Sequence, residues 1–253
     1  AQNIWMLRVA QWWFRRYPSS MSISIRGGGA PTLHPGMTSS SASSSGQAQS
    51  LGQQVKSALF AKPPPTVLDP SRFPQLAKTM AKLGRVRDKL ATMLGDQADE
   101  YEIHLADGTI GMIDAQGRIF FGAKFLEEYG SEEAVLIGVL AHEMGHRPKR
   151  WGEYMESPPK TKEELEALCR HEETRADIFC AKALAELGLS VEPLVEFLEK
   201  IQTSPHPCYF DAKTRGEVMK ETFAERSYSL GQRRKLFPDM ERMTSPAGHL
   251  GEG

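Results

Sequence analysis

The most constraining feature of this chain is an apolar run over residues 134–141 that leads directly into the sequence His-Glu-Met-Gly-His. Ser131 is a suitable N-cap, and apolar residues on every side of the axis are typical of a buried helix. Pro148 disfavours helical geometry at the residue before it. We therefore expect a helix over 131–147 that stops just past His146.

Two histidines at the end of this helix are placed for metal binding. His142 and His146 lie four residues apart, so both imidazoles are on one face and can reach a single zinc ion. Glu143 between them points toward the open coordination position. Burying these three polar side chains without a partner would be costly, and zinc would supply that partner. A solvated helix end without metal is the alternative, because so short a sequence also occurs by chance.

A second long helix is predicted over 161–187, and a capping box at Thr161 opens it. Glu172 and Glu173 flank its apolar stripe, so periodicity alone does not choose between them as a third zinc ligand. Two histidines and one glutamate are a standard set for catalytic zinc. Asp177, one turn beyond Glu173, is placed to hold a zinc-bound imidazole by its second nitrogen. The alternative is that Glu172, Glu173 and Arg175 form an ordinary solvated helix face.

The two sequences His142–His146 and Glu173–Asp177, with the patterns HExxH and ExxAD, resemble those of the gluzincin metallopeptidases. They are similar in particular to the family that includes the CAAX prenyl proteases and the HtpX-like heat-shock peptidases. The resemblance covers about residues 70 to 225, and its register implies Glu173 as the third ligand with Asp177 behind it. It also implies a zincin-like metallopeptidase domain with one Zn²⁺ per chain.

The remaining periodicities predict an α+β fold that is mainly helical and includes a small three-stranded β-sheet. Helices are predicted at 75–94, 193–201 and 211–225, and strands at 101–105, 109–114 and 118–121. Turns are predicted at Asp107-Gly108 and Gln116-Gly117. The strand over 109–114 could be the edge against which an extended peptide lies.

These features predict a zinc-dependent metalloendopeptidase that hydrolyses peptide or unfolded-protein substrates. Zinc would lower the pKa of its bound water, from which Glu143 takes a proton that it later delivers to the leaving amine. The developing oxyanion needs one further donor, for which His206 is the first candidate, Tyr209 the second and Arg215 the third. The resemblance supports His206 through the family's His-Pro loop. His206 could instead occupy the water position on zinc.

Another interpretation is a zinc-stabilised binding or scaffold module that has no turnover, and a third is a metal-free interaction protein. The sequence favours the enzyme because Glu143 serves water activation and has no role in ligation. A peptide deformylase fits less well, because no cysteine-bearing ligand motif precedes His142.

The chain is expected to hold one catalytic domain at 63–243, between a basic, Ser-rich disordered segment at 1–62 and a flexible tail at 244–253. Residues 1–20 faintly resemble a transit peptide or a basic patch for membrane surfaces, or they precede a true start at Met21 or Met37. The first 68 residues hold six Lys and Arg and no Asp or Glu, so the remainder has a net charge of −7. An acidic domain argues against nucleic acid as a partner.

No apolar run approaches the roughly 18 residues that a membrane span needs, so an integral membrane segment is not expected. Of the three cysteines, Cys169 and Cys180 are too far apart on one helix to bridge and are expected in the core. Cys208 is expected in an exposed loop, and the alternative is that it neighbours the zinc site beside His206. This usage favours a reducing compartment. A cytoplasmic location is expected, with a periplasmic or membrane-peripheral location as the alternatives.

Overall fold

The computed structural model describes residues 63–150 and 161–236. The segment 1–62 and the tail 244–253, for which disorder is predicted, lie outside the described residues, so that prediction stays a prediction. Within the described residues, no helix combines the length and the apolar character that crossing a membrane requires.

The described residues are mostly helical and include one small sheet. Two 3-10 turns, Pro70–Arg72 and Pro74–Leu76, precede helix α1, Ala77–Leu94, and a third, Ala98–Glu100, follows it. The strands are β1, Ile103–Ala106, β2, Gly111–Ile113, and β3, Ile119–Gly122. The later helices are α2, Ala123–Tyr129, α3, Glu133–Gly145, α4, Lys162–Glu186, α5, Glu192–Ile201, and α6, Ala212–Leu236. The predicted α+β class with a three-stranded sheet is confirmed.

The sheet is mixed, with the strand order β1-β3-β2. Strand β3 is parallel to β1 and antiparallel to β2, with Phe121 opposite Gly111. It takes the central position because all four of its residues are buried, as is typical of an apolar strand covered on both faces. Strand β2 is therefore at an edge of the sheet, as the strand over 109–114 was expected to be.

One predicted turn connects two strands that pair with each other, and the other connects two strands that do not pair. Gly117, with φ +86°, lies in the turn that connects the antiparallel strands β2 and β3. A Cβ at this position would lie 2.2 Å from the Glu100 carbonyl oxygen, so the turn requires glycine. Gly108, with φ +70°, lies between β1 and β2, which do not pair with each other because β3 separates them.

Helix α3 lies at the centre of the core and contacts α1, α4, α5 and β2. Its apolar residues are buried on every side of the axis, as predicted: Val135, Leu136, Ile137, Val139, Leu140, Ala141 and Met144. Each large aliphatic side chain among them contributes about 2–3 kcal/mol through burial. A Cβ at Gly138 would lie 2.5 Å from Leu194 Cδ2, so α5 approaches α3 more closely than another residue would permit.

The sequence predicted the C-terminal end of helix α3 correctly but not its N-cap. The N-cap is Glu132 and no side chain caps it, so the prediction of Ser131 was wrong. Ser131 instead lies in the tight turn that follows α2. At the other end His146 is the C-cap and Arg147 has a left-handed φ of +45° immediately before Pro148. The predicted stop just past His146 is confirmed.

Helix α4 begins with the predicted capping box, in which the Thr161 hydroxyl accepts from the Glu164 amide and the Glu164 carboxylate accepts from the Thr161 amide, each at 3.2 Å. Helix α5 matches its prediction to within one residue at either end. Helix α6 continues well past the predicted end at residue 225 and reaches Leu236. Arg226 binds Glu186 of α4 and thereby ties this extension to the domain, a contact between distant segments that periodicity does not reveal.

Candidate metal centre

Two histidines of α3 and one glutamate of α4 come together at the point where these helices cross. The Glu173 Oε2 atom lies 3.2 Å from His142 Nε2 and 3.9 Å from His146 Nε2. One ligand atom from each of the three residues lies within 4.8 Å of the others. A Cβ at Gly145 would lie 3.0 Å from Ala176 Cα, so the small residues at this crossing let the two helices approach closely.

The adjacent glutamates of α4 have different roles. Glu173 joins the histidines, whereas Glu172 pairs with Arg175 through oxygen–nitrogen distances of 3.0 and 2.5 Å. The Glu172 Oε1 atom lies 3.7 Å from His146 Nδ1, and Arg175 also donates to the His146 carbonyl at 3.0 Å. Glu172 therefore lies behind a histidine instead of among the three clustered ligand atoms. Both glutamates are buried, so the alternative of a solvated helix face is wrong.

The spacing of the three ligand atoms fits a divalent cation. Zinc bonds of about 2.0–2.1 Å at tetrahedral angles separate two ligand atoms by about 3.3 Å. The distances of 3.2 and 3.9 Å from Glu173 Oε2 to the two imidazole nitrogens lie near that value. Among the described residues, this buried oxygen has no hydrogen bond of ordinary geometry. The buried group of His142, His146 and Glu173 could therefore hold a metal ion.

Asp177 and Arg215 together orient the His142 ring through its second nitrogen, Nδ1. His142 Nδ1 lies 2.9 Å from Asp177 Oδ1, and Arg215 of α6 donates to both oxygens of that carboxylate at 2.8 Å. Arg215 also donates to Gln202 Oε1 at 3.1 Å. A carboxylate on the second ring nitrogen sets both the tautomer and the orientation of a ligating imidazole. Arg215, the third candidate for an oxyanion donor, is thus bound to the residue behind a ligand.

The electrostatics of the cluster favour a cation. Burial opposes charge on His142, but the carboxylates of Asp177 and Glu173 outweigh it and raise its pKa to about 10. Burial also opposes ionisation of Glu173, yet His146, His142 and Arg215 lower its pKa to about 2. Against its burial, Arg215 and His142 hold the pKa of Asp177 below its usual range. The site keeps two buried carboxylates ionised, and a divalent cation can take the place of the proton that they stabilise.

Glu143 lies between the metal ligands in sequence and beside the edge strand in space. A Cβ at Gly111 of β2 would lie 3.5 Å from Glu143 Oε1 and 2.5 Å from Val139 Cγ1. The backbone of β2 thus passes directly over the last turns of α3, an approach that only glycine permits. Glu143 is half-buried there, so its carboxylate remains partly open to solvent.

The segment 202–211 between α5 and α6 holds the two other predicted donors. Tyr209 is buried near Glu173. Burial and the negative charge of Glu173 raise the pKa of Tyr209 well above the usual value. The His206 ring packs against the Tyr209 ring with 5.1 Å between centroids, and its Nδ1 accepts from the Cys208 amide at 3.1 Å. Tyr209 therefore lies near a member of the metal cluster, with His206 beside it.

Two features of the site had not been predicted. Arg175 joins Glu172 to the backbone of His146, and the only local signal for it is its position three residues after Glu172 on one helix face. The second feature is the proximity of Cys208 to Cys169: Cys208, expected in an exposed loop or beside the zinc site, is half-buried and lies near the Cys169 thiol. Cys169 and Cys180 are buried in the core, as predicted.

Comparison of the chain with protein-family models, with curated proteins and with solved structures finds no match. A functional assignment therefore depends on the sequence motifs and on the geometry of the site.

Proposed function

We propose that this chain is a zinc-dependent metalloendopeptidase with a zincin-like domain of the gluzincin type, as the sequence resemblance implies. The observation on which the proposal rests is the convergence of His142, His146 and Glu173, with Glu143 adjacent on the same helix. Three protein ligands leave one coordination position open, which distinguishes catalytic zinc from structural zinc with its four protein ligands. A purely structural site would have no use for a half-buried carboxylate at Glu143.

Each residue of the site has a separate role in the proposed hydrolysis. His142, His146 and Glu173 would hold zinc, which when bound polarises a carbonyl and makes water more acidic. Asp177 keeps the His142 ring in its ligating orientation through Nδ1. The Glu143 carboxylate takes a proton from water and returns it to the nitrogen of the leaving amine.

Tyr209 is placed to act on the oxyanion. Its raised pKa keeps the phenol protonated at neutral pH, so that its hydroxyl can donate a hydrogen bond to developing negative charge. His206 packs against the same ring and remains the second donor under this proposal. The sequence analysis had ranked His206 first and Tyr209 second as the oxyanion donor.

Strand β2 is proposed as the docking edge for substrate. Within the part of the chain that the structure describes, β2 pairs only with β3, so its other edge has unpaired backbone groups. A peptide that adds to this edge would lie main chain to main chain, close to the Glu143 carboxylate beneath Gly111. Such docking recognises backbone more than side chains, which suits an unfolded-protein substrate.

Glu143→Gln tests the proposal, because the amide keeps the shape of the side chain but cannot accept the proton. We expect one zinc per chain by metal analysis in both wild type and variant. Digestion of a peptide library should be slower in the variant by about 10²–10⁴-fold. Glu132→Gln, at the exposed N-cap of the same helix, is the matched control and should digest the library at the wild-type rate.

Three results would contradict parts of the proposal. Wild-type cleavage by Glu143→Gln would remove this residue from the mechanism. A purified chain with bound zinc but no products from any library would indicate a binding module. A chain without bound metal, and without zinc uptake, would end the assignment.

A further inference from the structure

Two of the three cysteines meet beside the metal cluster. Cys169 lies on α4 one turn before Glu173, and Cys208 lies between His206 and Tyr209 in the segment 202–211. Each thiol lies close enough to the other to shift its pKa. Neither thiol has a role in the proposed hydrolysis, so this proximity requires a separate explanation.

Contacts on either side of Cys208 hold its segment against this turn of α4. Arg170, the neighbour of Cys169, donates a hydrogen bond to the Pro207 carbonyl, and its guanidinium lies 6.0 Å from the centre of the Phe210 ring. The Gln202 side chain donates to the Phe210 carbonyl at 2.6 Å. The approach of the two thiols is therefore fixed by the backbone of the segment as well as by the thiols themselves.

The environments of the two thiols differ in the way that thiol–disulfide exchange requires. Cys208 is half-buried and accessible to a small reagent, whereas Cys169 is only 2% exposed. Cys208 is therefore the thiol that a small disulfide reaches first, and the nearby Cys169 thiol lowers the pKa of Cys208 below its usual value, which favours the attacking thiolate. Cys169 is then the resolving thiol, beside the sulfur that it would attack.

We propose that Cys169 and Cys208 form a redox site, which closes to a disulfide on reaction with a low-molecular-weight disulfide and fastens the segment 202–211 to α4. The Cys208 thiolate attacks one sulfur of the small disulfide, which releases one small thiolate and leaves a mixed disulfide. Cys169 passes its proton to the released thiolate and attacks Cys208 Sγ, which releases the second small thiolate. That thiolate takes up from water the proton that Cys208 gave up when it ionised. The protein loses two hydrogens, and the oxidant is reduced to two thiols.

The disulfide would act on the segment that holds both proposed oxyanion donors. Two neighbouring thiol sulfurs must approach to about 2.05 Å to form the bond, which moves the segment relative to α4. Tyr209 faces the negative charge of Glu173 across this same boundary, so the redox state of the pair reaches a candidate metal ligand. A consequence for hydrolysis rests on the proposed function, whereas the thiol chemistry does not.

The test treats the purified full chain with oxidised glutathione, alkylates the remaining thiols after denaturation and maps the cysteine peptides by mass spectrometry. We expect a linked pair of peptides containing Cys169 and Cys208, with Cys180 alkylated. Cys180 is fully buried and its Sγ donates to the Gly138 carbonyl at 3.2 Å, so it serves as the internal control. The temperature of unfolding should rise on oxidation and return to its starting value after reduction with dithiothreitol.

Variants separate the two steps of the exchange. Cys169→Ser should stop at a mixed disulfide between glutathione and Cys208, and Cys208→Ser should form no crosslink and show no rise in the unfolding temperature. Cys180→Ser should crosslink as the wild type does. Recovery of both Cys169 and Cys208 as alkylated residues in the oxidised wild type would overturn the inference, as would a crosslink between two chains. Mapping of the wild type decides the question even if a serine variant fails to fold.

Discussion

Asp177 and Asp96 are both buried and both bind arginine, but they act in different regions. Asp177 contacts a histidine of the candidate metal cluster, whereas Asp96 contacts the turn that follows helix α3. Asp177 on α4 binds Arg215 through two hydrogen bonds of 2.8 Å, and its Oδ1 lies 2.9 Å from His142 Nδ1. The ion pair thus contacts the His142 ring, which could ligate a metal ion. Its effect is to orient that one side chain.

Asp96, just after α1, has a similar set of donors but no histidine. It accepts from the Tyr101 hydroxyl at 2.6 Å, from Arg147 at 2.5 and 2.9 Å, and lies 3.1 Å from Arg150 Nε. Arg147 is the residue with φ +45° that follows the α3 C-cap. Asp96 therefore holds the chain in the left-handed turn that ends helix α3.

The difference shows that a buried aspartate–arginine pair can orient a side chain of a site, as Asp177 does, or hold the backbone in a turn, as Asp96 does. It also predicts different energies, because the cations are not equally desolvated. The side chain of Arg215 is 6% exposed, whereas those of Arg147 and Arg150 are 18% and 28% exposed. A cation left without its partner costs more when water cannot replace that partner.

Asp177→Asn is expected to have the largest effect, since the amide removes the charge that faces both Arg215 and His142. Loss of the carboxylate behind a ligand should lower zinc affinity by about 10–100-fold. The buried, unpaired Arg215 should lower the free energy of unfolding of the metal-free chain by about 3–5 kcal/mol. Competition with a chelator of known affinity measures the first quantity, and urea denaturation measures the second. Zinc affinity equal to that of the wild type would show that Asp177 does not orient His142.

Asp96→Asn is the matched variant in the other region. We expect the free energy of unfolding to fall by about 2–3 kcal/mol, less than for Asp177→Asn because the partly exposed arginines regain water. Zinc affinity should be unchanged, since no metal ligand contacts this carboxylate in the described part of the chain. A loss of zinc affinity as large as that of Asp177→Asn would erase the distinction between the two regions.

The sequence predicted those parts of the molecule whose signals are local. The four-residue spacing of His142 and His146 places them on one helix face whatever the rest of the fold does, and Pro148 ends that helix through its effect on the preceding residue. The capping box at Thr161 works within a single turn. The structure retains each of these features.

Features that depend on distant segments could not be predicted from the sequence. Periodicity alone could not choose between Glu172 and Glu173, because both residues flank the same apolar stripe and the choice depends on how α3 crosses α4. Only the family resemblance, through its register, selected Glu173. Asp96 and Arg147 are 51 positions apart, and no pattern links them. The position of β3 between β1 and β2 likewise depends on burial by helices from elsewhere in the chain.

Glu172→Gln is expected to have a smaller effect on zinc than Asp177→Asn. The Glu172 carboxylate lies 3.7 Å from His146 Nδ1, farther than the 2.9 Å between Asp177 and His142, so it orients its ring less firmly. We expect zinc affinity to fall by at most about 10-fold, at the lower end for residues behind a ligand. Glu163→Gln, in the exposed first turn of α4, is the control for chelator competition. A loss greater than that of Asp177→Asn would assign Glu172 to the metal itself.

The smallest expected effect is a pH dependence in the Asp96 region. Glu100 accepts hydrogen bonds from Arg150, which lower its pKa from 4.5 to about 2. Because the folded pKa lies below the unfolded one, the contribution of Glu100 to stability is complete above about pH 4.5 and is lost as the pH falls toward 2. Solvent keeps this contribution below about 1 kcal/mol. In urea denaturation of the metal-free chain, Glu100→Gln should therefore be less stable than wild type at neutral pH, and the two curves should meet near the folded pKa. A difference that persists unchanged in acid would mean that packing, and not the charge of Glu100, stabilises this end of helix α3.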